Sequence, residues 1–277
     1  MDLSVAVYDM KGGRETAFGA DRTYVTASVV KVAVLAALLL RAQDTGRWLT
    51  AEEERLAAAM IERSDNDAAT ALRAAAGGVA GLDAAHARLG MTRTTAAPAW
   101  GLTRTTARDQ LTLLRAVFGG ACGPPVLNGD SRRFLARLMG RVVPGQDWGV
   151  SAAAGGDPAG ETAGRAAGET AGGGWALKNG WLPRTGSGLW VVHSVGLVRD
   201  RSRRGSRTGQ ERDPVRGRPT EHLRGRSAEH VRDTSAGRIR DCLVAVLSDG
   251  HASLEEGIAR VEEAAVSAVR RVGQRSG

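Results

Sequence analysis

The spacing of apolar and polar positions changes rhythm along the chain. Leu3 to Tyr8 is apolar and partly alternating, Lys11-Gly12-Gly13 is a turn, and Thr16 to Phe18 reads as the returning strand of a hairpin. Val25 to Arg41 carries the longest apolar run, VAVLAALLL. It is apolar nearly all round, which predicts a buried central helix with Ser28 near its start. Helical periodicity then dominates. Thr50-Ala51-Glu52-Glu53 opens a helix, with acids in its first turn, that runs to about Arg63. Further helices are predicted over Asp67 to Ala76, ending at Gly77-Gly78, and over Leu82 to Leu89, ending at Gly90. Thr106 caps another through Phe118, and Ser131 begins one that ends near Met139. Beyond these the period changes. Trp175 to Leu182, Leu189 to Val198 and Cys242 to Ser248 read as strands, and Ser253 caps a last helix to about Arg271.

This order predicts an α+β fold. An antiparallel sheet is built from both chain ends, 1–25 and 175–277, and flanked by helices; an all-helical lobe comes from the middle, 26–150. Two stretches fit neither period. Ser151 to Gly174 is rich in Ala and Gly, and Arg201 to Gly237 in Arg, Gly, Ser and Pro. Both are expected to be low-complexity mobile loops. The second separates two strands of a would-be hairpin, which is tolerable because closure entropy grows slowly with loop length.

Composition alters this picture little. A chain of 277 residues with a 42% apolar fraction can bury a large core. Its net charge of +8 is local: Arg199 to Arg240 holds 13 arginines against 6 acidic residues, a net of +7. The mixed charges and lack of aromatics there argue against nucleic-acid binding. Cys122 and Cys242 stand far apart in sequence; spacing alone leaves a pairing between them open, and partly buried free thiols are the preferred reading. No run of 18 apolar residues exists, and no basic start with an apolar core precedes the first strand. The compartment is therefore open: the chain stays in the cytoplasm or lacks its natural N-terminus.

Lysine usage points to the chemistry. Only three of the 38 basic residues are lysines. A lysine kept in so arginine-rich a chain suggests a site that needs an amine able to lose its proton. Lys11 lies in a turn. Lys31 closes Ser28-Val29-Val30-Lys31, and Lys178 opens Lys178-Asn179-Gly180, with Ser64-Asp65-Asn66 between them. On a helix, Ser28 and Lys31 share a face, so hydroxyl and amine are expected to touch. The helix dipole favours an alkoxide at Ser28, and apolar neighbours should lower the pKa of Lys31. Ser64 would relay a proton to a leaving amine, and Asn66 would hydrogen-bond a substrate amide. Lys178 would add positive field, and Gly180 would allow close backbone approach. The N–H groups of Ser28 and Trp181 would form an oxyanion hole.

The three motifs in this order, on helix, loop and strand, resemble the class A β-lactamase and penicillin-binding catalytic domain. The likeness extends to MIERSDNDAATALRAAAGG, TRTTARDQLTLLRAVF and CLVAVLSDG, and runs from the first hairpin to the final helix outside the two low-complexity loops. It implies a single β-lactamase-like catalytic domain with its site between two lobes. Ser28 would be the acylated nucleophile, Lys31 a general base, and Ser64, Asn66 and Lys178 the cleft lining. The substrate would be a β-lactam or a peptide-like amide, with no cofactor or metal and a monomeric protein. A D-Ala-D-Ala-type peptidase and a binding protein that keeps the cleft without turnover are the alternatives.

The chain departs from the family where E-x-x-L-N is usual. Residues 90 to 106, GMTRTTAAPAWGLTRTT, hold no carboxylate, and none lies between Asp83 and Asp109. Acylation without fast deacylation is the expectation. Asn179 replaces the family's hydroxyl residue and is expected to hydrogen-bond substrate with altered geometry. Trp181 follows the glycine, where small residues are usual, and would narrow the cleft or stack on a substrate. The interval from Ser28 to Ser64 is shorter than in most members, which trims one cleft wall. His193 reads as structural, and His86 has no partner at metal-ligand spacing. His222 and His230 fall in the arginine segment. No phosphate loop or nucleotide fingerprint is found.

Overall fold

The computed structural model describes residues 1–120, 123–155, 174–200 and 240–274. Cys122, most of the Ala/Gly-rich stretch and the Arg201–Gly237 segment with His222 and His230 lie outside them. Among the described residues, a five-stranded antiparallel sheet has the order β2-β1-β7-β6-β5. Its strands are β1 (Asp2–Asp9), β2 (Arg14–Phe18), β5 (Trp175–Pro183), β6 (Trp190–Asp200) and β7 (Arg240–His251). Both chain ends therefore meet in one sheet, as the pattern required. Strand periodicity sorts the side chains onto two faces. Val5, Val7, Val244 and Val246 pack with Val261, Ala265 and Val269 of α7 (Leu254–Gln274). Ala6, Leu243, Ala245 and Leu247 turn to the helices on the opposite face.

Those helices are α1 (Val30–Asp44), α2 (Ala51–Glu62), α3 (Asn66–Ala75), α4 (Gly78–Leu89), α5 (Ala107–Phe118) and α6 (Gly129–Met139). Twelve residues of α1 are buried, so it is the central helix that its all-round apolar sequence predicted. Thr50 and Glu53 form a reciprocal capping box on α2, Thr106 caps α5, and the Ser253 hydroxyl accepts from the Glu256 N–H at the start of α7. No helix among the described residues is long and apolar enough to cross a membrane.

Four details differ from the sequence pattern. The central helix begins at Val30, not Val25; Thr23–Val25 is strand β3, and Ala27–Val29 is a 3₁₀ turn that holds Ser28. The middle of the chain is not all helical, because β4 (Arg104–Thr106) pairs with β3. Both strands have only three residues, too few to show a period. Helix α4 starts at Gly78, four residues early, because Gly77 at φ 98° turns the chain directly from one helix into the next. Asn128, not Ser131, caps α6.

Candidate active site

The geometry is set where the 3₁₀ turn, the α2–α3 junction and edge strand β5 converge. Ala27 and Ser64 are the two non-glycine residues with positive φ among the described residues, at 45° and 57°. Each strained conformation costs on the order of 1–3 kcal/mol and persists only where its surroundings enforce it. One immediately precedes Ser28; the other is itself a predicted site residue. Ser64 lies between α2 and α3, and Asp65 caps α3 by accepting from the Ala68 N–H at 2.8 Å.

Lys31 and Lys178 are fully buried, at 0% and 1% exposure. Ser64 Oγ stands between them, 3.1 Å from Lys31 Nζ and 3.0 Å from Lys178 Nζ. Lys31 also donates to the Ser64 carbonyl at 2.6 Å and to Asn66 Oδ1 at 2.8 Å. Lys178 also donates to the Asn179 carbonyl at 2.9 Å. No carboxylate hydrogen-bonds either amine among the described residues. Burial therefore decides their titration. It brings Lys31 down to about 8 against the pull of Asp65. It brings Lys178 down to about 7, with repulsion from Lys31 adding to it. Two amines near neutrality joined by one hydroxyl make a path for protons.

The predicted contact between Ser28 and Lys31 is not formed. The Ser28 hydroxyl makes no hydrogen bond among the described residues, and all three N–H donors of Lys31 go to Ser64 and Asn66. A charged amine takes the acceptors available, and two of these belong to the strained Ser64.

Strand β5 comes closest to the 3₁₀ turn at Gly180. A Cβ there would stand 2.8 Å from both the Ser28 and Val29 nitrogens, so backbone meets backbone. The register of β5 with β6 aims the neighbouring N–H. Gly174 accepts from Arg199 and Arg184 donates to Leu189, so even-numbered residues of β5 bond to β6. Trp181, an odd position on this edge strand, points its N–H outward beside the 3₁₀ turn. The Ser28 N–H has no acceptor among the described residues.

Asn179 departs from expectation. Its buried amide donates to the carbonyls of Gln146 and Trp148, both at 2.9 Å, so it braces that loop and does not offer those N–H groups to a substrate. Strand alternation puts Asn179 on the opposite side of β5 from Lys178. Trp181 stacks at a tilt on Trp148, with centroids 5.9 Å apart. His193 is structural, as read from sequence. Its Nδ1 accepts from the Ser248 N–H, so its Nε2–H donates to the Val25 carbonyl at 2.7 Å. Burial holds it down to about 4, so the ring is neutral. His86 is buried on α4, and no group of residues suited to a metal ion is found among the described residues.

Trp100 joins the site although it belongs to none of the three motifs. Its ring lies over Lys31, with Nζ 4.9 Å from the centroid, and its Nε1–H donates to Thr70 Oγ1 at 3.2 Å. The available signal was an indole inside a carboxylate-free stretch of an aromatic-poor chain.

Comparison with known proteins bears on the fold. Residues 46–143 match the family described as Beta-lactamase enzyme family. A β-lactamase from Burkholderia vietnamiensis superposes with a TM-score of 0.64 at 22% identity, over 100% of this chain and 92% of that one. The chain has the β-lactamase-like fold. PBP-A aligns over 98% of this β-lactamase-like chain and 90% of its own, with a TM-score of 0.63 at 17% identity. An ancestral class A β-lactamase aligns over 98% and 94%, with a TM-score of 0.62 at 20% identity. No curated protein matches the sequence.

Proposed function

We propose that this β-lactamase-like chain is a serine hydrolase that forms an acyl-enzyme at Ser28 with β-lactams or peptide-like amides and releases it slowly. The observation that carries this reading is the Lys31–Ser64–Lys178 chain, whose first lysine lies three residues after Ser28. A neutral Lys31 gives up one of its three acceptors and turns its lone pair to the Ser28 hydroxyl. Ser28 Oγ attacks the carbonyl carbon, and the N–H groups of Ser28 and Trp181 receive the oxyanion. The departing nitrogen takes its proton from Ser64, which is resupplied by either lysine. Asn66, whose Oδ1 is held by Lys31, presents its amide N–H to the substrate. Lys178 offers an N–H donor to a substrate carboxylate.

Slow release follows from residues 84–108, which hold no carboxylate to activate water. That feature also favours the D-Ala-D-Ala-type peptidase reading over an efficient β-lactamase. A point mutant of PBP-A is described as an acyl-enzyme complex with penicillin G, so a neighbour with this fold supports the choice of probe. Ring opening of penicillin G, followed by absorbance, tests the reading. The expected result is a burst of about one equivalent per protein and then a slow phase. Ring opening without a burst at many turnovers per second, or none at all, contradicts it.

A further inference from the structure

We propose that Trp100 determines which acceptor takes the acyl group, barring water from the Lys31 side of the Ser28 ester. This rests on the proposed acyl-enzyme. The indole is held from three directions. Its Nε1–H donates to Thr70 Oγ1, and that hydroxyl in turn donates to the Asn66 carbonyl at 3.0 Å. Arg73 donates to the carbonyls of Pro98 and Ala97, at 2.8 and 3.0 Å. The Ala96 N–H donates to Asp83 at 2.7 Å, and Thr95 bridges to Arg104. The strap also joins the nucleophile's own turn: the Thr26 N–H donates to the Thr103 carbonyl at 2.8 Å, and the Thr26 hydroxyl to that of Gly101. Trp100 is thus part of a braced strap that is tied to Thr26, two residues before Ser28.

Hydrolysis of the ester needs a water whose oxygen bonds to the acyl carbon while the carbon–Oγ bond breaks. That water must surrender a proton to a base, and Ser28 Oγ must regain one. The ring lies over the Lys31 amine on the side of this strap, 4.9 Å from Nζ to its centroid, and residues 84–108 offer no carboxylate in its place. The free edge of β5 remains as the route for an amine acceptor. There the new carbon–nitrogen bond forms as carbon–Oγ breaks, and the amine's surplus proton passes through Ser64 to Ser28. Trp100 acts through Lys31 and is a positioning residue.

The test is the lifetime of the penicillin G adduct by intact-protein mass, with acylation rate measured separately, in the native chain, Trp100→Ala, Trp100→Phe and Thr70→Val. Product released in ¹⁸O-water is weighed for label. Trp100→Ala is expected to shorten the lifetime at least about tenfold with ¹⁸O in the product, a change of about 1.4 kcal/mol in barrier. Trp100→Phe should retain most of the native lifetime, and Thr70→Val, which removes only the tether, should fall between. An adduct whose lifetime is the same in all four proteins overturns the inference and leaves the proposed function standing. Absence of any adduct in the native chain overturns both. If Trp100→Ala fails to fold, Thr70→Val decides: an unchanged lifetime there counts against the inference.

Discussion

Lys31→Met is expected to slow adduct formation with penicillin G by roughly 10²–10⁴-fold, the usual contribution of a positioned general base. Methionine keeps the length of the chain and suits the buried site, but it has no proton to exchange. Lys31→Arg separates chemistry from support. Arginine can still donate to the Ser64 and Asn66 oxygens that Lys31 now serves, yet it does not deprotonate. If Lys31 were only a brace, the arginine variant would acylate normally; as a base, it fails with methionine. The pH profile carries a sign as well. The base must be neutral, so acylation should rise with pH through the range of about 7 to 8 where burial places the two lysines, and level off above it. The midpoint belongs to the coupled pair. A rate that falls across that range would contradict the assignment.

Lys178→Met is expected to act in opposite directions on activity and stability. Acylation should drop on the order of 10²-fold, as when a preorganised donor is removed from a site of developing charge. Stability should improve at neutral pH. The folded-state pKa of Lys178 is about 7 against an ordinary 10.5. Between those values the unfolded chain binds more protons than the folded one, so stability climbs as pH rises through the window. The handicap is full below about 7 and gone above 10.5. Lys31 contributes in the same direction. Unfolding by urea at pH 6 and pH 9 checks this: the variant should lose part of the native chain's gain between the two. An equal gain in both proteins would mean that Lys178 is not held neutral by burial.

The sequence made the strongest elements legible. The apolar run of α1, the acidic first turn of α2 and the hydroxyl caps of α5 and α7 carry local signals, and the structure has each of them. The order of the three motifs was legible because lysine is so rare here. What remained hidden depended on contacts distant in sequence. Strands β3 and β4 exist because Thr23–Val25 and Arg104–Thr106 pair across some 80 residues. The direction of the Lys31 amine is set by the turn at Ser64, not by the i, i+3 spacing to Ser28. Asn179 turned to the Gln146–Trp148 loop because alternation along β5 leaves it facing away from Lys178. Trp100 sits over Lys31 through a strap whose anchors, Thr70, Arg73 and Asp83, lie on two helices. No local pattern encodes such placement.

Acylation of Ser28 is read by intact-protein mass after incubation with penicillin G, with the native chain and Ser28→Ala side by side. The native protein is expected to gain the mass of one penicillin, held long enough to be observed, and Ser28→Ala to remain folded and gain none. An adduct of the same mass on Ser28→Ala, or none on the native protein, would contradict acylation at Ser28.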